Sequence, residues 1–387
     1  MRKVAIIGVG QTKFDSLWDR DIASLAVEAG YKAIQDANIS KKDVEAIYGG
    51  TMTGGLFVNQ EHLGALLADF AGMSGIPSTR VEAACASGGL ALRQGYIDVA
   101  SGMHDIVVAG GVEKMTDLGV SAITKTLATA ASSEWEGVQG ATFPGLYAMI
   151  AKLHMHKYKT TEEQMAMCAV KNHKNALHNP FAQFKKEITV EDVMKSSVVA
   201  DPLKLLDCSP ITDGAATVVL ASEDVAKKYT DTPIWINGSG HAVDSISLHD
   251  RQDMTTLNST IFAAKQALMQ SKLTIDKIGC VEVHDCFTIA EITAIEDLGF
   301  CKKGEGGKFT QNGETEIGGK IAVNPSGGLK AKGHPIGASG IAQAIEIVHQ
   351  LRGDAKGRQS NAEIGMTHNV GGSGATAIVH IFGRGKK

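Results

Sequence analysis

The six cysteines of this chain, at 85, 168, 208, 280, 286 and 301, form no Cys-x-x-Cys pair. That argues against zinc fingers and redox dithiols, and disulfides are not expected in a large chain of cytosolic type. No run of 18 or more apolar residues occurs, so no membrane span is expected. The formal net charge of −4 gives no sign of nucleic-acid binding. Met1-Arg2-Lys3 leads at once into VAIIGVG, which is too short and too strand-like for a signal peptide, and a cytoplasmic location follows as the expectation. Proline is scarce at 8 residues and aromatics make up only 5%, whereas glycine reaches 44. Small residues let backbones approach closely, which suits an α/β protein with tight strand–helix turns. Apolar content of 43% and charged content of 21% are ordinary for a soluble globular protein. At 387 residues the chain is too long for one simple core and implies two domains or a duplicated one.

Duplication is visible in three pairs of segments that recur in one order. AIIGVG (5–10) matches WINGSG (235–240). ASGGLALRQ (86–94) matches ASGIAQAIE (338–346). GAATVVLAS (214–222) matches GATAIVHIF (374–382). The first spacing is 81 residues in the first half and 103 in the second, and the polar, glycine-rich stretch 301–320 accounts for the surplus as a surface loop. The second spacing is 128 residues against 36, which places an insertion of about 90 residues after DIVVAGG (105–111). The inserted segment, 112–205, reads as a cap over the core. The segments 24–39 and 260–273 read as matching amphipathic helices, and 222–233 as a linker. The expected units are 1–111 with 206–228, the insertion 112–205, and 229–387.

Four short stretches combine reactive residues with glycine turns, each at a strand end or helix start, where ligands bind in α/β sheets. In ACASGG, Cys85 precedes a helix; it is either a small buried residue or a thiol whose pKa the helix dipole lowers, towards about 3.5–7.5 at such sites. In GHPIGASG, His334 stands before another helix start, where the dipole keeps the imidazole neutral and ready to accept a proton, unless it is simply a turn histidine. In VHDCF (283–287), His284 and Cys286 share a face of an extended strand, and Asp285 points away to orient a neighbouring loop. His-x-Cys lacks further ligands, so no metal is expected. In MTHNVGGSG, His368 and Asn369 precede a glycine nest, around Val370 and Gly371, whose N–H groups suit an oxyanion. Asp213 and Gly214 are candidates for pocket walls.

These four motifs, in this order on a duplicated chain with a long insertion, resemble the thiolases, and within them the sterol-carrier-protein type and the archaeal acetyl-CoA acetyltransferases. The resemblance covers essentially the whole chain. It implies the thiolase fold, two αβα halves forming a five-layered αβαβα core, with an inserted loop/cap domain that helps bind coenzyme A. It implies Cys85 as nucleophile, His334 as its activating base, His284 as part of the enolate oxyanion hole, and backbone N–H groups of Cys85 and near Val370 as a second hole. The second thiol of many thiolases lies in a Cys-x-Gly motif. This chain has His368-Asn369-Val370 there, which leaves Cys286, or His368, for that acid/base role. Cys286 is expected near the reference thiol pKa of about 8.5. The implied reaction joins two acetyl-CoA into acetoacetyl-CoA, with coenzyme A thioesters as substrates and no further cofactor. A 3-ketoacyl-CoA thiolase for longer chains, a non-catalytic acyl-CoA-binding scaffold and a ketosynthase-like enzyme are the alternatives. The implied partners are a second copy, as homodimer or homotetramer, and 3-hydroxy-3-methylglutaryl-CoA synthase with a small zinc-ribbon/OB-fold protein at the head of the mevalonate route.

Overall fold

A computed structural model describes residues 2–384. Its strands are β1 (Val4–Gln11), β2 (Ala46–Gly50), β3 (Ser78–Val81), β4 (Ile106–Glu113), β5 (Val198–Ala200), β6 (Leu203–Lys204), β7 (Gly214–Ser222), β8 (Ile234–Val243), β9 (Cys280–Glu282), β10 (Ala322–Val323), β11 (Ile364–Gly371) and β12 (Thr376–Arg384). All but the β5–β6 hairpin form one ten-stranded sheet. From the centre outward one side runs β1-β7-β4-β2-β3 and the other β8-β12-β11-β9-β10. Each side has the same pattern: two antiparallel pairings, then two parallel ones. The halves meet where β1 pairs with β8, through Ala5↔Trp235 and Ile6↔Ile234.

Helices Ser87–Ser101 and Ile336–Arg352 lie between the two halves, packed on each other and on strands of the sheet. Helix Ile336–Arg352 touches β11 on one side and β4 and β7 on the other, and is buried almost throughout. Helices Ile22–Asp36 and Asn258–Ser271 cover the outer faces of β1 and β8. The layers are therefore helix, sheet, helix, sheet, helix. Strands such as β1 and β7, covered on both faces, are buried along their full length.

The paired Gly-x-Gly motifs have a packing reason. A Cβ on Gly10 would lie 2.2 Å from the Ala29 carbonyl oxygen, and one on Gly240 would lie 1.9 Å from that of Ala263. The outer helices rest directly on strand backbone, which only glycine permits.

The chain departs from the sequence expectation in two connections. Segment 301–320 is more than a surface loop: it contains helix Gly306–Gln311, whose Gly307 fits against Gln164 and Thr160 of the inserted segment. Gln164 donates to the Gln311 side-chain oxygen at 2.9 Å there. Segment 222–233 is more than a linker: it forms helix Glu223–Tyr229, which buries Ala226. Local polarity suggested loops in both places, and tertiary packing turned them helical.

Between β4 and β7 the chain forms helices Val120–Ala128, Phe143–Tyr158, Glu162–Ala176 and Val190–Lys195 and the β5–β6 hairpin. Leu146, Tyr147, Ile150, Met165 and Cys168 of this excursion share a buried cluster with Cys286, Phe287, Ile289, Ile292 and Leu329. The cap thus forms the wall behind the VHDCF segment.

Gly240→Ala should lower stability by about 1–3 kcal/mol through overpacking. Gly30→Ala, in a helix with nothing within 4 Å of the added Cβ, should raise it by about 0.5–1 kcal/mol. Urea unfolding midpoints that shift in the same direction would contradict the packing argument.

Candidate active site

Cys85 is presented by a strained turn. After β3 the chain passes through Ala84 at φ 49°, a left-handed conformation that costs a residue with a Cβ about 1–3 kcal/mol. Ser87 holds that turn: its hydroxyl accepts from Ala83 N at 2.9 Å and donates to the Ala84 carbonyl at 2.6 Å. Cys85 comes one residue before the N-cap, Ala86, of helix Ser87–Ser101. His334 is held the same way in the other half. It precedes Pro335, the N-cap of helix Ile336–Arg352, and Ser339 of the second Ala-Ser-Gly bonds its ring.

The sulfur of Cys85 and ring nitrogens of His284 and His334 lie within 4.8 Å of one another. The two rings meet edge to face, with centroids 5.0 Å apart. Hydrogen bonds assign different protons to them. Ser339 donates its hydroxyl to the Pro335 carbonyl at 2.9 Å, so it accepts from His334 Nδ1–H at 2.7 Å. His334 Nε2 is then the bare lone pair, able to accept a proton. Asn369 is fixed by Gly89 N–H, which donates to its Oδ1 at 3.1 Å. Its Nδ2 therefore donates to the Cys85 carbonyl at 3.0 Å and to His284 Nδ1 at 3.2 Å. His284 must carry its proton on Nε2, a buried atom with no hydrogen-bond partner among the described residues. One histidine faces the thiol as acceptor and the other offers a donor. That donor also makes the trio a poor metal cradle, because His284 Nε2 holds a proton and Nδ1 already accepts one.

Cys286 is buried beside this group. Its thiol shares a buried cluster with Tyr147 and lies close enough to Cys85 for that thiol to raise its cost of ionisation.

Residues 4–224 match the family described as "Thiolase, N-terminal domain" and residues 240–384 that described as "Thiolase C-terminal domain-like". An acetyl-CoA acetyltransferase of Methanothermobacter thermautotrophicus is 59% identical over 99% of this chain and 100% of its own length. Sterol carrier protein 2 of Bos taurus is 35% identical over 97% of this chain and 71% of its own. The solved "Ltp2-ChsH2(DUF35) aldolase" superposes with a TM-score of 0.86 at 26% identity, covering 100% of this chain and 98% of the other. The chain belongs to the thiolase family.

Within this thiolase the expected charge states need correction. Burial pushes the Cys85 thiol up to about 12, and the Gly372 N–H, which donates to its sulfur, only partly offsets this. The helix dipole does not win: desolvation of the anion outweighs it. Burial, followed by Cys85, also holds Cys286 well above the reference thiol rather than near it. Burial lowers His334 to about 3 and His284 well below its usual value, so both rings rest neutral.

Other residues are placed as follows. Strand alternation turns His368 to the opposite face of β11 from Asn369, where its Nε2 bonds Thr260 at 2.8 Å and not either thiol. Val370 packs in the outer core. The N–H that reaches the Cys85 sulfur is that of Gly372, one residue past Gly371. Asp285 does point away. It accepts from Leu329 N at 2.7 Å and Lys330 N at 3.2 Å, which holds the loop leading to His334, and from Asn172 of the insertion at 2.7 Å. Asp213 is a tie rather than a pocket wall: it accepts from Met115 N at 2.6 Å, Leu17 N at 3.0 Å and Lys114 at 2.9 Å. Gly214 lies against Phe14 and Pro335.

Sequence reasoning missed Ser87, Ser339, Gly372 and Tyr147. The two serines carried a signal, since they are the shared letter of the repeated Ala-Ser-Gly. Tyr147 carried none, because nothing in FPGLYAMI marks which side chain enters the site.

Because the thiol rests protonated, alkylation of Cys85 by iodoacetamide should climb with pH through pH 9 without a plateau, and His334→Ala should slow it at least tenfold at pH 7. A plateau below pH 8 would show a resting thiolate instead.

Proposed function

We propose that this thiolase is an acetyl-CoA C-acetyltransferase, joining two acetyl-CoA into acetoacetyl-CoA and coenzyme A through an acetylated Cys85, and running the reverse thiolysis. The observation that carries the reading is the pair of opposite tautomers around one thiol: His334 Nε2 accepts, His284 Nε2–H donates. Cys85 attacks the thioester carbonyl as its proton passes to His334. The leaving coenzyme A sulfur takes the proton of Cys286, and Cys286 is left as thiolate. A second acetyl-CoA gives its α-proton to that thiolate, while His284 Nε2–H holds the enolate oxygen. The enolate carbon bonds the acetyl carbon, the bond to Cys85 breaks, and His334 returns the proton to Cys85. The protons balance over one turnover, and each is moved by a buried group that is neutral at rest.

The 59% identity to a protein named acetyl-CoA acetyltransferase supports the two-carbon substrate. Coenzyme A thioesters enter as substrates, and the proton on His284 Nε2 supports a reaction without metal. Segment 112–205, which walls the site behind Cys286, is the reading for coenzyme A contacts. We place the protein in the cytoplasm, as a homodimer or homotetramer; no helix of the described residues is long and apolar enough to cross a membrane. Condensation of two acetyl-CoA is unfavourable, which gives a reason for association with a 3-hydroxy-3-methylglutaryl-CoA synthase and a small zinc-ribbon/OB-fold protein, feeding the mevalonate route. The two-component name of the Ltp2-ChsH2(DUF35) aldolase supports the expectation of a companion chain for this fold.

The test is cleavage of acetoacetyl-CoA and of 3-ketooctanoyl-CoA by free coenzyme A. Fast turnover of the four-carbon substrate alone is expected, falling about 10⁴-fold or more in Cys85→Ala. Comparable cleavage of the longer chain would move the protein to the 3-ketoacyl-CoA thiolases, and bound coenzyme A without turnover would make it a scaffold. His284→Ala should cost about 10²–10³ in kcat, as for loss of one oxyanion donor, and His284→Asn, which keeps an N–H, should cost less.

A further inference from the structure

The inserted segment sends one polar group into the reaction centre. Tyr147, on helix Phe143–Tyr158, is 1% exposed, and its ring packs against Phe287 at a tilt of 32° with centroids 4.7 Å apart. Its hydroxyl donates to the Gly372 carbonyl at 3.2 Å and adjoins the Cys286 thiol. Gly372 in turn donates its N–H to the Cys85 sulfur. Tyr147 therefore stands between Gly372, which borders the first thiol, and Cys286, with which it shares one buried cluster.

We propose that Tyr147 is a further catalytic residue of this thiolase, whose hydroxyl turns from the Gly372 carbonyl to the Cys286 sulfur and holds that sulfur as thiolate between the two halves of the reaction. This rests on the role given above to Cys286. While Cys286 is protonated, the single hydroxyl proton of Tyr147 is committed to Gly372, and its oxygen is free to accept from Cys286 S–H. Once the leaving coenzyme A sulfur has taken the Cys286 proton, the thiolate is the stronger acceptor and the Tyr147 O–H rotates onto it. No proton leaves tyrosine: only the direction of its hydrogen bond changes. When the thiolate takes the α-proton of the second substrate, the hydroxyl returns to Gly372.

The surroundings favour a rotating donor over a titrating one. Burial and the neighbouring Cys286 and Cys85 hold the Tyr147 phenol well above its usual range. Arg251 faces it, with its guanidinium committed to the Ser373 carbonyl at 2.6 Å and the Ser245 carbonyl. Asp244 and Glu136 face Arg251 rather than the thiols. Cys286 itself faces Cys85, Tyr147 and the adjoining Asp285. Among the described residues, the groups that favour an anion on this sulfur are neutral donors, the Tyr147 hydroxyl and the Phe287 N–H.

Tyr147→Phe keeps the ring and its packing against Phe287 and removes only the hydroxyl. The pH dependence of iodoacetamide alkylation at Cys286 is followed by peptide mass spectrometry in a Cys85→Ala background, with and without Tyr147→Phe. Loss of the hydroxyl should move the alkylation profile to higher pH by about one unit, read as a tenfold slower rate at a given pH. With Cys85 intact, Tyr147→Phe should lower kcat for condensation at least tenfold, with KM for acetyl-CoA little changed. An unmoved alkylation profile overturns the proposal, and does so even if kcat falls, because the tyrosine is then merely structural. The alkylation arm does not depend on turnover. Full condensation by Cys286→Ala, alongside a shifted profile, would instead remove the acid/base role of Cys286 and leave the Tyr147 contact standing.

Discussion

The site depends on one close approach between two helix starts. A Cβ on Gly340 would fall 2.3 Å from Gly89 N, and a Cβ on Gly88 would fall 2.5 Å from the Gly337 carbonyl oxygen. Helices Ser87–Ser101 and Ile336–Arg352 therefore touch backbone to backbone at their first turns. Each is preceded by one residue of the candidate pair, Cys85 or His334. Neither half alone holds both the Cys85 thiol and the His334 imidazole. The duplicated fold brings them together because the same Ala-Ser-Gly opens both helices, its serine bracing the turn and its glycine admitting the partner helix. Glu113 at the end of β4 locks the register by accepting from Gly337 N at 3.0 Å, Met52 N at 2.8 Å and the Thr51 hydroxyl at 2.8 Å.

Burial then sets the chemistry. The thiols are held protonated and the histidines neutral by the same cause, the cost of placing charge in a dry interior. A site built this way stores no ion pair. Cys85 and His334 acquire opposite charges together when the proton passes between them, and each then stabilises the other at short range where water does not screen them. The unpartnered proton on His284 Nε2 and the Gly372 N–H are fixed dipoles already in place for the negative charge that develops. A resting thiolate would lose this advantage and expose the nucleophile to oxidation.

Much of this was legible in the sequence because it is written in small residues at fixed spacing. The repeated Gly-x-Gly and Ala-Ser-Gly encode close packing, and packing of that kind leaves no alternative residue. The convergence of Cys85, His334, His284 and Cys286 followed from motifs at strand and helix ends. The protonation states did not follow, because the helix-dipole argument is local whereas desolvation is a property of the folded surroundings. The facing of His368 was ambiguous for a similar reason: alternation along β11 makes either His368 or Asn369 point inward, and only the partner, Gly89 or Thr260, decides which. The helix in 301–320 needed the cap to form against, and no window of local sequence contains that partner.

The cap contributes position more than stability. Behind the catalytic loop, Asn172 of the insertion donates to Asp285 at 2.7 Å and to Glu291 at 2.8 Å, and Lys171 bonds Glu291 at 3.1 Å and the Val323 carbonyl at 2.8 Å. Burial and the Glu291 charge raise Asp285 to about 7. Lys332 and Ser326 are tied to Glu282 in the same layer. Buried ionic clusters of this kind gain little net free energy over apolar packing, since desolvation cancels most of the attraction. What they do supply is direction. Glu282 fixes the Ser326 N–H and Asp285 those of Leu329 and Lys330, in the segment that leads to Gly333 at φ 114° and His334. An apolar core of equal volume would bury the loop without fixing where its backbone points, and a base that must meet a sulfur at hydrogen-bonding distance needs that direction more than it needs extra stability.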